Sequence, residues 1–301
     1  MDIFPKIIKA IISYIIVFSC IPFLIRHFIA KKKITILLYH DPKRDLMEKH
    51  LVYLTKKYNL ISLKDLIYSL DNKTWDKIPE YSLLITFDDG HKGNYKLTSL
   101  FRKYKFRPTI YICTKIVNSL RFFWFKLIDD HNKESLKKIS QNDREKILKE
   151  KFYFKKDDKG TMNQRHSLSK KEMKEMSKYV DFESHSRYHP ILPQCNNKES
   201  YKEIRMSKSD LKNILGKAFK NFSFPNGDYS EREIFYLKKI GYKSARTCDI
   251  GWNDLKTNPF YLKTCLINDN ASITMLKAQI SGVTGFLRYF KNFGTLNGQK
   301  K

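Results

Sequence analysis

Short apolar runs rich in β-branched residues alternate with helix-length amphipathic segments from residue 34 to residue 266. This alternation constrains the fold most, because strands joined by helical crossovers pair in parallel and need helices over their faces. Ile34–His40, Tyr81–Phe87, Pro108–Cys113, Asp181–Ser184, Phe222–Phe224, Tyr242–Thr247 and Phe260–Leu266 read as strands. Helical periodicity covers Leu46–Tyr58, Leu63–Leu70, Tyr95–Tyr104, Lys198–Leu215 and Glu231–Ile240. Ser167 or Ser169 caps a further helix reaching Tyr179, with Glu172 three residues after Ser169 as in a capping box. The simplest architecture is an α/β (β/α) barrel of seven or eight strands, complete or incomplete. With 42% hydrophobic residues among 301, the chain can bury a core, which excludes wholesale disorder.

The N-terminus carries a different signal. Residues Ala10–Ile25 hold no charge, and with Lys9 and Arg26 snorkelling the apolar span extends from Ile7 to Ala30. No small-x-small cleavage site follows, so the expectation is an uncleaved N-terminal membrane helix rather than a signal peptide, with a buried core helix as the alternative. Pro22 also allows a kinked or in-plane helix. Lys6 and Lys9 precede the segment while Arg26 and Lys31–Lys33 follow it, which leans toward a cytoplasm-facing bulk over a periplasmic or extracellular one. The domain reading is an anchor with basic flank at 1–33, a barrel domain at 34–270 with a Lys-rich insertion at about 118–165, and a C-terminal amphipathic helix and tail at 271–301. Phe122–Phe125 in the insertion is a core plug or, as the alternative, a lipid-facing edge.

The chemistry gathers at strand ends, where barrels of this kind place their reactive loops. His40, Asp88-Asp89, His185 with His189, and Pro225-Asn226-Gly227 each follow an expected strand. One carboxylate and two imidazoles make a three-ligand set that leaves a divalent metal an open position for water. The second acidic residue is then available as general base on that water. Each element alone is weak: an acidic pair before glycine is also an ordinary solvated turn. Five cysteines without a CxxC pair indicate neither a disulfide framework nor a cysteine zinc knuckle.

Thr86-Phe-Asp-Asp-Gly90, Ser184-His-Ser-Arg-Tyr-His189-Pro190 and Phe224-Pro-Asn-Gly227 resemble the successive motifs of polysaccharide deacetylases, the NodB-homology or carbohydrate esterase 4 family. The resemblance covers roughly Ile34 to Leu266 and implies a distorted (β/α) barrel of the NodB type that removes N- or O-acetyl groups from sugars with a divalent metal. It implies Asp88 as general base and Asp89, His185 and His189 as metal ligands. It also implies that the backbone near Asn226 serves the oxyanion, with Gly227 in a turn where backbone closely approaches substrate. Zn²⁺ suits the donors, and Co²⁺, Ni²⁺ and Fe²⁺ accept them as well.

Three departures stand out. The family's Arg ahead of the third-motif Pro, which pairs with the catalytic acid, is replaced by Asn221-Phe222-Ser223; Asn226 replaces an aromatic before Gly; and the late Leu-x-His motif is absent, no histidine following His189. Tyr39-His40-Asp41 matches the early histidine of circularly permuted relatives, which implies His40 as the proton donor; a structural histidine is the alternative.

Lys and Arg number 58 against 31 Asp and Glu, a net charge of +27, which points to anionic surroundings. With the apolar N-terminus and an amphipathic segment at Ile273–Phe290, whose Phe286–Phe293 tail reads as interfacial or as a barrel-covering helix, the expected partners are an acetylated amino-sugar glycan or lipid-linked sugar and an anionic membrane surface. No RNP-like motif or basic recognition helix supports a nucleic-acid partner. A catalytically inactive membrane-bound glycan-binding scaffold on the same fold is the alternative function.

Overall fold

A computed structural model describes residues 3–154 and 164–283, the side chains of residues 3–7, 9, 130 and 131 excepted. Eight strands follow one another as β1 (Thr35–Tyr39), β2 (Asn59–Leu60), β3 (Ser82–Phe87), β4 (Thr109–Ile112), β5 (Asp181–Ser184), β6 (Asn221–Ser223), β7 (Ser244–Ile250) and β8 (Leu262–Leu266). Hydrogen bonding runs β1-β8-β7-β6-β5-β4-β3-β2, and β1 also pairs with β3. The sheet is therefore a parallel seven-strand barrel with β2 as an extra strand, as the alternation of strand and helix requires. Only the two-residue β2 was not legible as a run of its own.

The chain divides into two compact units. The first comprises residues 1–85, 249–257 and 263–301. It holds the helices α1 (Ile3–Phe18), α2 (Ile21–Leu24), α3 (Arg44–Lys57) and α4 (Leu63–Asp71). Ser62 and Asp65 close a capping box at the start of α4. Buried Met47, Leu51 and Leu54 on α3 recur at helical spacing, and every residue of β1 is buried, as a strand covered on both faces must be.

The expected N-terminal membrane helix does not form a single span. α1 ends at Phe18, Pro22 sits in the four-residue α2, and Ile25–Ala30 winds as a π-helix. No single helix among the described residues is long and apolar enough to cross a membrane; Ala10–Phe18 and Ile21–Ala30 meet the requirement together but are bent by 61°. Proline lacks the N–H that would continue the ladder, which accounts for the break. The C-terminal helix runs from Ile273 to Ile280, and the Phe286–Phe293 tail lies outside the described residues.

The second unit comprises residues 86–248 and 258–262. Its helices are α5 (Thr98–Lys103), α6 (Asp130–Lys137), α7 (Gln141–Phe152), α8 (Lys170–Met176), α9 (Asn197–Leu215) and α10 (Glu231–Ile240); the C-terminal helix of the first unit is α11. Ser169 caps α8 with Glu172, whereas buried Ser167 donates to the Ile116 carbonyl. Left-handed Gly216 and Gly241 end α9 and α10. Leu192, Ile204, Phe222, Phe224, Ile234 and Leu237 form one apolar cluster. Phe123 and Trp124 are buried, so the Phe122–Phe125 run packs as a core plug.

Candidate active site

β3 ends at Phe87 and delivers Asp88 and Asp89 into the second unit, both almost fully buried. Asp89 and Gly90 turn the chain with φ of 71° and 72°. Glycine is required there: a Cβ on residue 90 would lie 2.5 Å from Ile112 Cδ1. β5 ends at Ser184 and delivers His185 and His189 through a turn in which Ser186 and His189 also have positive φ, 62° and 59°. Left-handed backbone costs a non-glycine residue roughly 1–2 kcal/mol, so three such residues around four candidate groups mark a backbone held against its preference.

Helix α9 holds the histidine turn. Glu203 Oε2 accepts the backbone N–H groups of Arg187 (2.9 Å) and Tyr188 (3.0 Å). One turn further along, Ser207 Oγ meets Ser184 Oγ at 2.6 Å, and Asp210 Oδ2 takes Arg187 Nε at 3.0 Å and Thr114 Oγ1 at 2.9 Å. Residues 203, 207 and 210 share one helix face, so a single element fixes the turn. Trp124 Nε1 donates to the His189 carbonyl at 3.1 Å, and the Phe125 ring lies 4.8 Å from the imidazole.

The side chains converge on Asp89. His185 Nε2 lies 3.7 Å and His189 Nε2 3.5 Å from Asp89 Oδ1, while His91 Nε2 bonds Asp89 Oδ2 at 3.1 Å. His185 Nδ1 is 2.8 Å from the Ser223 carbonyl, which can only accept, so Nδ1 carries the proton. In the neutral ring the Nε2 lone pair then faces Asp88 Oδ2 and Asp89 Oδ1, each at 3.7 Å. Acceptors facing acceptors beyond hydrogen-bond reach repel, and a cation between them removes the conflict. Burial pushes His189 down to about 4 despite the pull of Asp89, leaving it in the neutral form a metal takes. The residues present therefore fit a divalent cation. Asp89, Cys113 and His185 also offer donor atoms within 4.8 Å of one another. The Cys113 Sγ, however, donates to the His185 carbonyl at 3.2 Å, and burial first, then Asp89 and Asp88, hold its pKa well up.

Asp88 is held differently. Arg246 on β7 donates to its Oδ2 and to Ser223 Oγ, and Ser223 lies 3.4 Å from the same oxygen. Register puts Arg246 directly opposite Ser223 on the neighbouring strand. Burial opposes the Arg246 charge most strongly, yet the adjacent Asp88 carboxylate, together with Cys248 and Tyr111, outweighs it and raises its pKa. The Tyr111 ring lies 5.1 Å from the guanidinium carbon. Asp88 Oδ1 is buried and makes no hydrogen bond. One carboxylate oxygen is thus clamped and the other is left to act.

A model of the polysaccharide deacetylase family matches residues 76–245, more than half of the chain. The chain belongs to the polysaccharide deacetylase family. YxkH of Bacillus subtilis strain 168, provisionally named a polysaccharide deacetylase, is 25% identical over 232 residues, spanning 73% of this chain and 66% of its own length, just under two thirds. Among solved structures, Streptococcus pyogenes deacetylase PplD in complex with acetate matches with a TM-score of 0.60 at 20% identity, covering 82% of this chain and 98% of that one. IcaB from Ammonifex degensii matches with a TM-score of 0.60 at 17% identity, covering 82% and 97%. Likenesses at that identity show the fold.

Within this deacetylase fold the structure brings together Asp88, Asp89, His185 and His189. Asn226 and Gly227 keep to their own turn, with φ of 59° and 80°. The exposed Asn226 side chain donates to Asp228 Oδ2 at 2.6 Å, and the Gly227 N–H donates to the Phe224 carbonyl at 2.9 Å. A Cβ on Gly227 would lie 2.5 Å from Cys248 Cβ. His40 stands in the first unit, where its backbone N–H and that of Asp41 donate to the Asp269 carboxylate at 3.0 and 2.8 Å. The residue that sequence reasoning missed is Arg246. The arginine expected ahead of Pro225 is absent, and one from the adjacent strand holds the acid in its place. Its signal was a charge set among Ser244, Ala245 and Thr247 in the middle of the expected strand, past Lys243 at its start, since strands buried on both faces tolerate a charge only when it is paired.

Proposed function

We propose that the chain is a metal-dependent deacetylase hydrolysing N-acetyl or O-acetyl groups of a membrane-associated polysaccharide or lipid-linked sugar. The observation that carries this reading is the pair of imidazole nitrogens, 3.7 and 3.5 Å from one Asp89 oxygen, beside an Asp88 clamped at its other face. Asp89, His185 and His189 would hold a divalent cation, Zn²⁺ best suiting the donors, which when bound supplies Lewis-acid activation of water and of the acetyl carbonyl. Asp88 takes the proton from the attacking water at Oδ1, because Oδ2 is already committed to Arg246 and Ser223. Arg246 fixes the rotamer of that carboxylate and sets a buried positive charge against it. His91 and the Ser223 carbonyl orient Asp89 and His185 from behind. The Asn226 backbone is assigned to the developing oxyanion and His40 to protonation of the leaving group. An inactive glycan-binding scaffold fits less well, since glycan binding alone gives no reason to hold buried carboxylates against strained histidine backbone.

The membrane-associated substrate is supported by the N-terminal segment, where Phe18, Phe23 and Phe28 are 80, 67 and 74% exposed. The deciding experiment measures bound metal and acetate release together, on full-length protein in detergent with acetylated amino-sugar glycans, beside Asp89→Asn. About one metal per chain with release, both lost in Asp89→Asn, is the expected result. Folded wild-type protein that binds no divalent metal overturns the reading. For His40, turnover unchanged in His40→Ala with metal retained removes it from the mechanism.

A further inference from the structure

The first unit contains a cavity of about 280 Å³ whose walls carry Arg26, Lys33, Lys57 and Lys277 and no carboxylate. None of these four cations has an ion pair among the described residues. Aromatic faces hold three of them instead. The Arg26 guanidinium lies over the Tyr58 and Tyr81 rings, 5.0 and 4.2 Å from their centroids; Lys33 Nζ is 6.0 Å from Trp252, and Lys277 Nζ 5.1 Å from Tyr53. All four rings also line the cavity. Arg26 donates to the Lys57 carbonyl, and its Nε is buried without an acceptor. Gly282 packs so closely on Trp252 that a Cβ there would lie 2.3 Å from Cζ2, so this wall is fixed.

Ring faces position a cation without neutralising it. Four cations around so small a space repel one another, and an anion with several acceptor oxygens relieves all four at once. The rest of the wall combines the apolar Val17, Pro22, Ala30 and Ile280 with the hydroxyl residues Thr35, Ser82 and Ser281. The first three belong to the N-terminal segment, which leaves Phe18, Phe23, Leu24 and Phe28 exposed. We propose that this cavity binds a phosphoryl group presented by a lipid headgroup, with the exposed apolar residues of the segment meeting the acyl region. A volume of about 280 Å³ accommodates a phosphoryl head and excludes a bulky sugar nucleotide.

The test uses full-length protein co-sedimented with phosphatidylcholine vesicles, with and without phosphatidic acid. Lys33→Gln/Lys277→Gln is compared with Lys170→Gln/Lys171→Gln, a pair on α8 that removes the same charge outside the cavity. Arg26→Gln is the second cavity variant, and thermal melting establishes that each variant is folded. The cavity pair is expected to lose about tenfold in affinity for the doped vesicles while the α8 pair loses about twofold or less. Equal losses in the two pairs overturn the proposal, because net charge alone then accounts for binding. Inorganic phosphate, set against sulfate at equal ionic strength, separates the sources. Vesicle binding that depends on the cavity cations and is competed by phosphate more than by sulfate supports the headgroup; a rise in melting temperature in phosphate, absent in sulfate and lost in the cavity pair, without cavity-dependent vesicle binding keeps the phosphoryl chemistry and overturns the lipid source. Every lining residue belongs to the first unit, so this outcome is independent of acetate release.

Discussion

The two units handle charge in opposite ways. In the second, buried charges come with partners: Arg246 with Asp88, Arg187 with Asp210, and Glu203 with two backbone N–H groups. In the first, four cations line one cavity beside aromatic rings and no carboxylate. Pairing spends a charge on geometry: Asp88 is fixed through Oδ2, and its Oδ1 is buried without a hydrogen bond. Resting a cation on a ring does the reverse, placing the charge while keeping it available to a ligand. The first arrangement suits a site that must orient a reaction, the second a site that must attract an anion.

The comparison breaks most visibly at Asp89. Asp89→Asn keeps the shape but removes the charge that both histidines face, and metal analysis with acetate release should show both lost. Asp88→Asn should separate the roles, retaining metal while turnover falls by roughly 10²–10⁴, the scale of a general base. Arg246→Met is expected to destabilise the protein by about 3–5 kcal/mol, because it leaves Asp88 buried without its partner. Urea denaturation measures this, and adding Asp88→Asn should recover much of the loss. A double variant no more stable than Arg246→Met would show that the arginine acts through packing alone.

How far the sequence reached follows the same division. Asp88 with Asp89 and His185 with His189 were legible because each pair is close in the chain and follows a strand run, and the alternation of runs gave the barrel. Arg246 stands 158 positions from Asp88, and they meet only because the barrel brings the end of β3 to β7, where the register of β6 and β7 sets Arg246 beside Ser223. Sequence spacing carries no such register. The break at Pro22 was open in the residues, but a continuous apolar stretch reads as one helix until the backbone is seen to bend. The cations of the cavity run from position 26 to 277, interleaved with many surface lysines that look identical in a list.

Glu203 offers an intermediate test. Glu203→Gln replaces a carboxylate that accepts two N–H groups with a neutral acceptor, so a loss of about 1–3 kcal/mol is expected, read again in urea. Because Glu203 positions the turn carrying His189, metal affinity should weaken alongside stability. Unchanged affinity would place the support of that turn on Asp210 and Trp124.

The smallest effect sharpens the contrast most. Lys33→Gln removes a half-buried cation that has a ring beneath it and no carboxylate partner, so nothing is left uncompensated when it goes. Its stability change should stay within about 0.5 kcal/mol, the range of an ordinary surface substitution, and relief of repulsion from its neighbours should favour the stabilising side. Thermal and urea melts at low and high salt decide the matter. The wild type should gain stability from added salt through screening of the cavity cations, and Lys33→Gln should gain less. A variant that loses more than about 1 kcal/mol would mean that Lys33 is paired as tightly as Arg246, and the two units would then follow one rule.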